Sequence, residues 1–320
     1  MACQTCHASR DRATVASAAR PAIIVLISAT LYLLNVSYNL HCFYVRGAGD
    51  DSGWFAWLAS NARSWPMRNP DVIGGNYLSI HMSTIFFVSS VLLQPLSDLP
   101  VAVRFCFFIS LWAPLLWLAV FLLLDRFAAA TFSLRIAVSL LLTFNGLALS
   151  MLGFPHIEIL IPALGLLAIA IWLRAETPAG WAGAWIVILL ALTVREDAGL
   201  HLFLTLVALA SASAWVRDRR TMQRSLALAA VCVTGGILAL LVQRLAVPGG
   251  GQQLGNVYLG HPAFSHVSIA GLGRRLAYWA TRREYIFLPL LALMVLGFSS
   301  SANRLLLLGV AMSLPWLALS

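Results

Sequence analysis

Ionisable side chains are scarce in this chain, and those able to do chemistry gather in four short clusters. These are Asp50-Asp51 within Gly47-Ala48-Gly49-Asp50-Asp51-Ser52-Gly53, the single His81, His156 with Glu158 in Phe154-Pro155-His156-Ile157-Glu158, and Arg195-Glu196-Asp197; together they hold five of the 12 acidic residues. A carboxylate at a bilayer surface is partly desolvated, which raises its pKa toward that of a general base. Asp50 and Asp51 carry that reading, against simple N-capping of the Trp-bearing helix that follows. His156 and Glu158, two apart, do not share a helical face but reach one site from an extended turn. They are the metal-ligand candidates, with capping or a buried hydrogen-bonding role as the alternative. Three adjacent charges at Arg195-Glu196-Asp197 exceed what a turn needs, although a self-neutralising turn that caps the next helix is the plainer account. Asp197 and His201 stand four apart, so on a helix they share a face.

The elements that must position these groups are apolar helices. Of 320 residues, 60% are hydrophobic and 10% charged, and the mean hydropathy is +0.85. A soluble domain runs nearer 45–50% apolar and about 25% charged. A soluble enzyme, a DNA-binding module and a disordered regulator are excluded, and the composition predicts an all-α polytopic membrane protein. Apolar stretches at 21–43, 105–124, 133–152, 157–173, 181–194, 199–215, 225–244, 285–299 and 303–319 predict about nine or ten spans, depending on 79–97. That last stretch is interrupted by Ser89 and Ser90 and closes on Gln94-Pro95, which favours a segment that dips in without crossing. The first span lacks a cleavage site and reads as an uncleaved anchor. No repeat or linker divides the chain, so the expectation is a cytoplasmic tail at 1–19 and one transmembrane domain at 20–320.

Arginine sets the orientation. All 21 basic residues are Arg, as codon bias in a GC-rich genome produces, and the net charge is +9. In a membrane chain that excess marks cytoplasmic loops rather than a nucleic-acid partner. Arg10, Arg12 and Arg20 place the N-terminus inside, and the dense Arg217, Arg219, Arg220, Arg224 group belongs inside as well. Both conditions hold only if 79–97 fails to cross. The same count then puts all four polar clusters on the outer face, although their position was not used in it. Ionisable groups at such depth are functional candidates.

Two external loops are expected. The loop at 44–80 carries Trp54, Trp57 and Trp65, suited to an interfacial helix. The loop at 245–284 runs from Gly249-Gly250-Gly251 through Tyr258, His261 and His266 to Arg274, Arg275, Arg282 and Arg283. Those arginines either snorkel to headgroups or clamp a lipid-linked phosphate. Five cysteines, three of them in or beside spans, form no disulfide framework, and Cys3-Gln4-Thr5-Cys6-His7 is a chance haem-attachment spacing in a cytoplasmic tail. There is no Walker loop, no G-x-S-x-G and no complete G-x-G-x-x-G.

In this order the four clusters resemble the bacterial membrane family catalogued as domain of unknown function 2079 (DUF2079), itself similar to the GT-C integral-membrane glycosyltransferases. The family's Asp-x-Gly is matched by Asp51-Ser52-Gly53, and its His opening a short apolar segment by His81, without the Pro that usually follows. Its Phe-His-Pro-Glu corresponds to Phe154, His156 and Glu158, with the proline displaced to Pro155, and its Lys-Glu-Asp to Arg195, Glu196 and Asp197. The match covers roughly 46–320.

The resemblance implies a GT-C-like fold in the bacterial inner membrane and inverting transfer of a sugar from a polyprenyl-phosphate donor at the outer face. Asp51, or else Asp50, would be the base. His81, His156, Glu158, Arg195, Glu196 and Asp197 would bind substrate, and Arg274, Arg275, Arg282 and Arg283 would meet the leaving phosphate. Mg²⁺ or Mn²⁺ suits the His and carboxylate donors. The expected partners are membrane lipids and the lipid-linked sugar, with no nucleic acid. Family members run on for further spans, so a shortened chain is expected. A non-catalytic or transport protein for a lipid-linked intermediate is the competing reading.

Overall fold

The computed structural model describes residues 4–47, 50–127, 131–144, 156–247, 249 and 268–282, and every regular element among them is helical. Five segments are long and apolar enough to cross a membrane: Ala19–Arg46, Val101–Phe127, Ile157–Arg174, Ala198–Trp215 and Arg219–Ala246. Two shorter apolar helices, Phe132–Thr143 and Pro178–Val194, accompany them. The expected spans at 285–299 and 303–319, and the part of 133–152 beyond 144, lie outside the described residues.

Helix α1 (Gln4–His41) continues through a π-helical turn, Cys42–Gly47, so the expected tail is helical from Gln4 onward. The stretch Val101–Phe127 is two helices, α4 (Val101–Ile109) and α5 (Trp112–Phe127). Pro114 causes the break. It has no N–H for the carbonyl four residues back, that of Ser110, and its ring crowds that carbonyl. Leu111 N bonds Phe108 O instead, which releases Phe107 O as well. Within a membrane these acceptors need other donors, and α1 supplies them. Asn35 Nδ2 donates to Ser110 O (3.2 Å), Asn39 Nδ2 to Ser110 Oγ (2.9 Å) and the Tyr32 hydroxyl to Phe107 O (3.0 Å).

Between α1 and α4 lie α2 (Asp50–Asn61), a 3₁₀ turn at Tyr77–Ser79 and α3 (Ile85–Leu92). At about 1.5 Å per residue, α3 is about 12 Å long, against a hydrocarbon core of about 30 Å. It cannot cross, which agrees with the non-crossing reading of 79–97. Instead it packs on α2. Buried Ala56, Ala59 and Ala62 allow close approach, and Ser89 and Ser90 donate to Ala59 O (3.1 Å) and Ala62 O (2.5 Å).

Beyond α6 (Phe132–Thr143), which packs on α5, come α7 (Leu160–Arg174), α8 (Pro178–Val194), α9 (Ala198–Trp215) and α10 (Arg219–Ala246). Links this short make consecutive helices antiparallel. Two links carry their own caps: Thr177 Oγ1 accepts from Gly180 N (3.1 Å) ahead of α8, and Asp218 from Thr221 N (3.1 Å) ahead of α10. Helices α9 and α10 touch backbone to backbone. A Cβ on Gly199 would collide with the Cys232 carbonyl and lie 2.8 Å from Gly236 Cα. The alternation puts Glu158, the 195–197 link and the end of α10 at one pole of the bundle, and Arg174, Glu176 and Arg219 at the other. Helix α11 (Ile269–Arg282) exposes Ile269, Leu276 and Tyr278.

Candidate functional site

At the first pole the sequence-distant clusters meet. Glu196 accepts from Met82 N (2.8 Å) and faces His81 Nδ1 at 2.9 Å, which ties the loop after the 3₁₀ turn to the α8–α9 link. Arg195 forms an ion pair with Glu158, and its Nε lies 3.3 Å from Asp197 Oδ1 and 3.9 Å from Glu196 Oε1. His156 Nδ1 stands 3.4 Å from Glu158 Oε2, and His201 Nε2 3.6 Å from Asp197 Oδ2. Asp51, itself exposed in the first turn of α2, is close enough for its charge to act on both His156 and Tyr77.

These groups are buried. Arg195 is 4% exposed, Glu196 3% and His201 2%. Aromatic rings of α2 and the 3₁₀ turn form the wall: Phe55 meets His156 edge-on at 4.5 Å, and Trp54 meets Tyr77 at 5.1 Å. Gln243, in the last turns of α10, donates to Leu78 O (3.0 Å) and Ile80 O (3.3 Å), and so holds the loop that presents His81.

Burial pushes the His156 pKa down to about 4 against a partly opposing pull from Asp51, so this imidazole is neutral near pH 7. Burial pushes the Asp197 carboxyl up, but the hydrogen bond from His201 and the charges of Arg195, His201 and His81 outweigh it, and its pKa ends below the ordinary value. Burial likewise raises the Tyr77 phenol, which stays protonated as a donor. His81 engages Glu196 through Nδ1, which leaves Nε2 as its second ring nitrogen. No described hydrogen bond engages that nitrogen, and the side chain is partly exposed. A carboxylate-held imidazole of this kind can hold a substrate hydroxyl or take its proton.

The structure thus brings together His81, His156, Glu158, Arg195, Glu196 and Asp197, with the exposed Asp51 close enough to act on His156. The capping alternatives fall away for two of them. Asp197 and His156 occupy N-cap positions, yet neither side chain makes a capping hydrogen bond. Arg274 is exposed on α11, and no described bond joins it to the cluster. The side chains of Asp50, Arg275 and Arg282, and all of Arg283, lie outside the described residues. Among the described residues no group of three His, Cys, Asp or Glu side chains is arranged to hold a metal ion. Glu158 already faces Arg195 and His156, so the Mg²⁺ or Mn²⁺ expectation finds no ligand set there.

Sequence reasoning missed Gln243, whose one signal is an amide near the end of an apolar span. It also missed Phe55 and Tyr77, which read as ordinary core aromatics, and the Met82 backbone donor, which has no signal. The Gly199–Gly236 crossing was partly signalled by the Gly235-Gly236 pair inside a span. No family model matches the chain, and no curated protein or solved structure matches it.

Proposed function

We propose that this chain is a GT-C-like glycosyltransferase that moves a sugar from a polyprenyl-phosphate-linked donor to an acceptor hydroxyl at the outer face of a bacterial inner membrane. One observation carries the reading. Ionisable residues from four separate segments, at 51, 81, 156–158 and 195–197, converge on one pole of an apolar bundle and bury a carboxylate–guanidinium–imidazole network there.

Asp51, exposed beside neutral His156, takes the acceptor proton as the hydroxyl oxygen attacks the anomeric carbon. The bond from that carbon to the phosphate oxygen breaks, and the polyprenyl phosphate leaves with the electron pair. Guanidinium charge stabilises it, with Arg274 the exposed candidate on α11. His81, fixed by Glu196, holds the acceptor hydroxyl, while the Arg195–Glu158 pair keeps the buried network in register. The buried network positions these groups and leaves the proton transfer to Asp51.

The test supplies labelled polyprenyl-phosphate sugar to membranes containing the protein or its Asp51→Asn variant. Loss of a general base costs about 10²–10⁴ in rate, so the variant is expected to lose transfer at unchanged membrane abundance. Retained transfer removes Asp51 as the base. No transfer by the unaltered protein with any donor offered moves the binding or transport reading ahead.

A further inference from the structure

The opposite pole carries a second polar constellation, for which the transfer reaction has no use. Asp125, Arg126, Leu173, Arg174, Glu176 and Arg220 line an open pocket of about 270 Å³. Arg174 pairs with Asp125 and donates to Leu122 O (3.3 Å), and Arg220 pairs with Glu176 (2.6 Å). Arg126 makes one long hydrogen bond, 3.4 Å to Thr221 Oγ1. A guanidinium carries five N–H donors, so most of those around the pocket are uncommitted among the described residues. Arg135, which also pairs with Asp125, and Arg224, which donates to the carbonyls of Trp172, Leu173 and Ala175, add charge behind this wall. Of the carboxylates nearby, Asp125 and Glu176 each hold arginines in place, and Asp218 is spent capping α10.

The depth of the pocket can be read from its neighbours. Trp172 meets Trp181 at 4.8 Å and Trp185 at 5.5 Å, both edge-on, and the Arg224 guanidinium lies 5.0 Å over the Trp181 ring. Tryptophans clustered at one end of a membrane bundle mark the headgroup layer, and Trp172 directly precedes the pocket-lining Leu173. An open, arginine-rich cleft at that level matches a phosphate in charge and in hydrogen-bond geometry, since guanidinium forks pair with phosphate oxygens.

We propose that this pocket is a binding site for a phosphate mono- or diester, clamped by Arg126, Arg174 and Arg220. Asp125 and Glu176 hold Arg174 and Arg220 in position, and Arg126 supplies the charge with least prior engagement. The phosphate can come from an anionic lipid headgroup or from a soluble phosphate.

Calorimetric titration of the full chain in uncharged detergent separates the two, with short-chain phosphatidylglycerol and inorganic phosphate as probes. Removing a charge-assisted hydrogen bond should weaken binding about tenfold or more. That loss is expected for Arg126→Gln, while Arg219→Gln, an exposed arginine at the same pole but outside the pocket, leaves affinity unchanged. Binding of phosphatidylglycerol alone, sensitive to Arg126→Gln, assigns a lipid headgroup; binding of inorganic phosphate with the same sensitivity assigns a soluble phosphate. Equal losses in the two variants, an unaffected Arg126→Gln protein, or no binding of either probe would overturn the site. None of these readouts depends on glycosyl transfer.

Discussion

The two poles of the α7–α10 bundle use the same residue types in opposite ways. At one, Arg195 and Glu158 pair with side chains 5% and 15% exposed; at the other, Arg220 and Glu176 pair at 58% and 66%. Burial makes the first pair strongly interdependent, because removing one partner leaves the other charged and desolvated. Exposure leaves the second pair weakly coupled and free to exchange partners. The first pole is therefore rigid and suited to positioning a reaction, whereas the second offers cations to whatever anion reaches it. Identical charges thus do different work according to the water around them.

The largest effect that can break this comparison comes from Arg195→Met. It strands Glu158 and Asp197 and should cost about 3–5 kcal/mol of stability, read as a drop in unfolding free energy in detergent. A next test is pH. The folded-state pKa of His156, about 4, lies below its ordinary 6.5, so the unfolded chain binds more protons between those values. Unfolding free energy should then fall as pH drops through that window, by roughly 3 kcal/mol in all. His156→Gln should flatten that slope. Asp197 adds loss at the acid end, because its depressed pKa gives stability that is present above the usual carboxylate value and lost as pH falls through the folded one.

Gly199→Ala follows. Its methyl meets the Cys232 carbonyl and the Gly236 backbone, and such overpacking costs about 1–3 kcal/mol. It should also lower transfer by shifting the Arg195–Asp197 link. The smallest effect belongs to Arg220→Met, expected to change stability by less than about 1 kcal/mol. Equal losses for Arg195→Met and Arg220→Met would erase the distinction between the poles.

Much of this was legible in the sequence because membranes enforce simple rules. Apolar length announced the helices, Ser89, Ser90 and Gln94-Pro95 announced that 79–97 holds no long unbroken helix, and arginine parity grouped the four clusters before any contact was known. The i, i+4 spacing of Asp197 and His201 placed them together. What stayed hidden depends on three-dimensional partners. Pro114 signals a disturbance, but not that Asn35 and Tyr32 on another helix would take the released carbonyls. Gln243 reads as a stray amide until Leu78 and Ile80 turn their carbonyls toward it. Burial of Arg195 and Glu196 was equally invisible, since a charged triplet between two spans is compatible with a solvated turn.

The most direct test of the account is which pole faces outward. In a cysteine-free background, Val72→Cys and Asp98→Cys report the first pole, and Glu176→Cys and Arg219→Cys the second; all four positions are exposed. Intact cells are treated with a membrane-impermeant thiol reagent. Labelling is expected at 72 and 98, with 176 and 219 reacting only after permeabilisation. Protection at 98 alongside labelling at 72 would mean that 79–97 crosses. Labelling at 176 or 219 in intact cells would turn the arginine pole outward, and an outward-facing site built on Asp51, His81 and Glu196 would be contradicted.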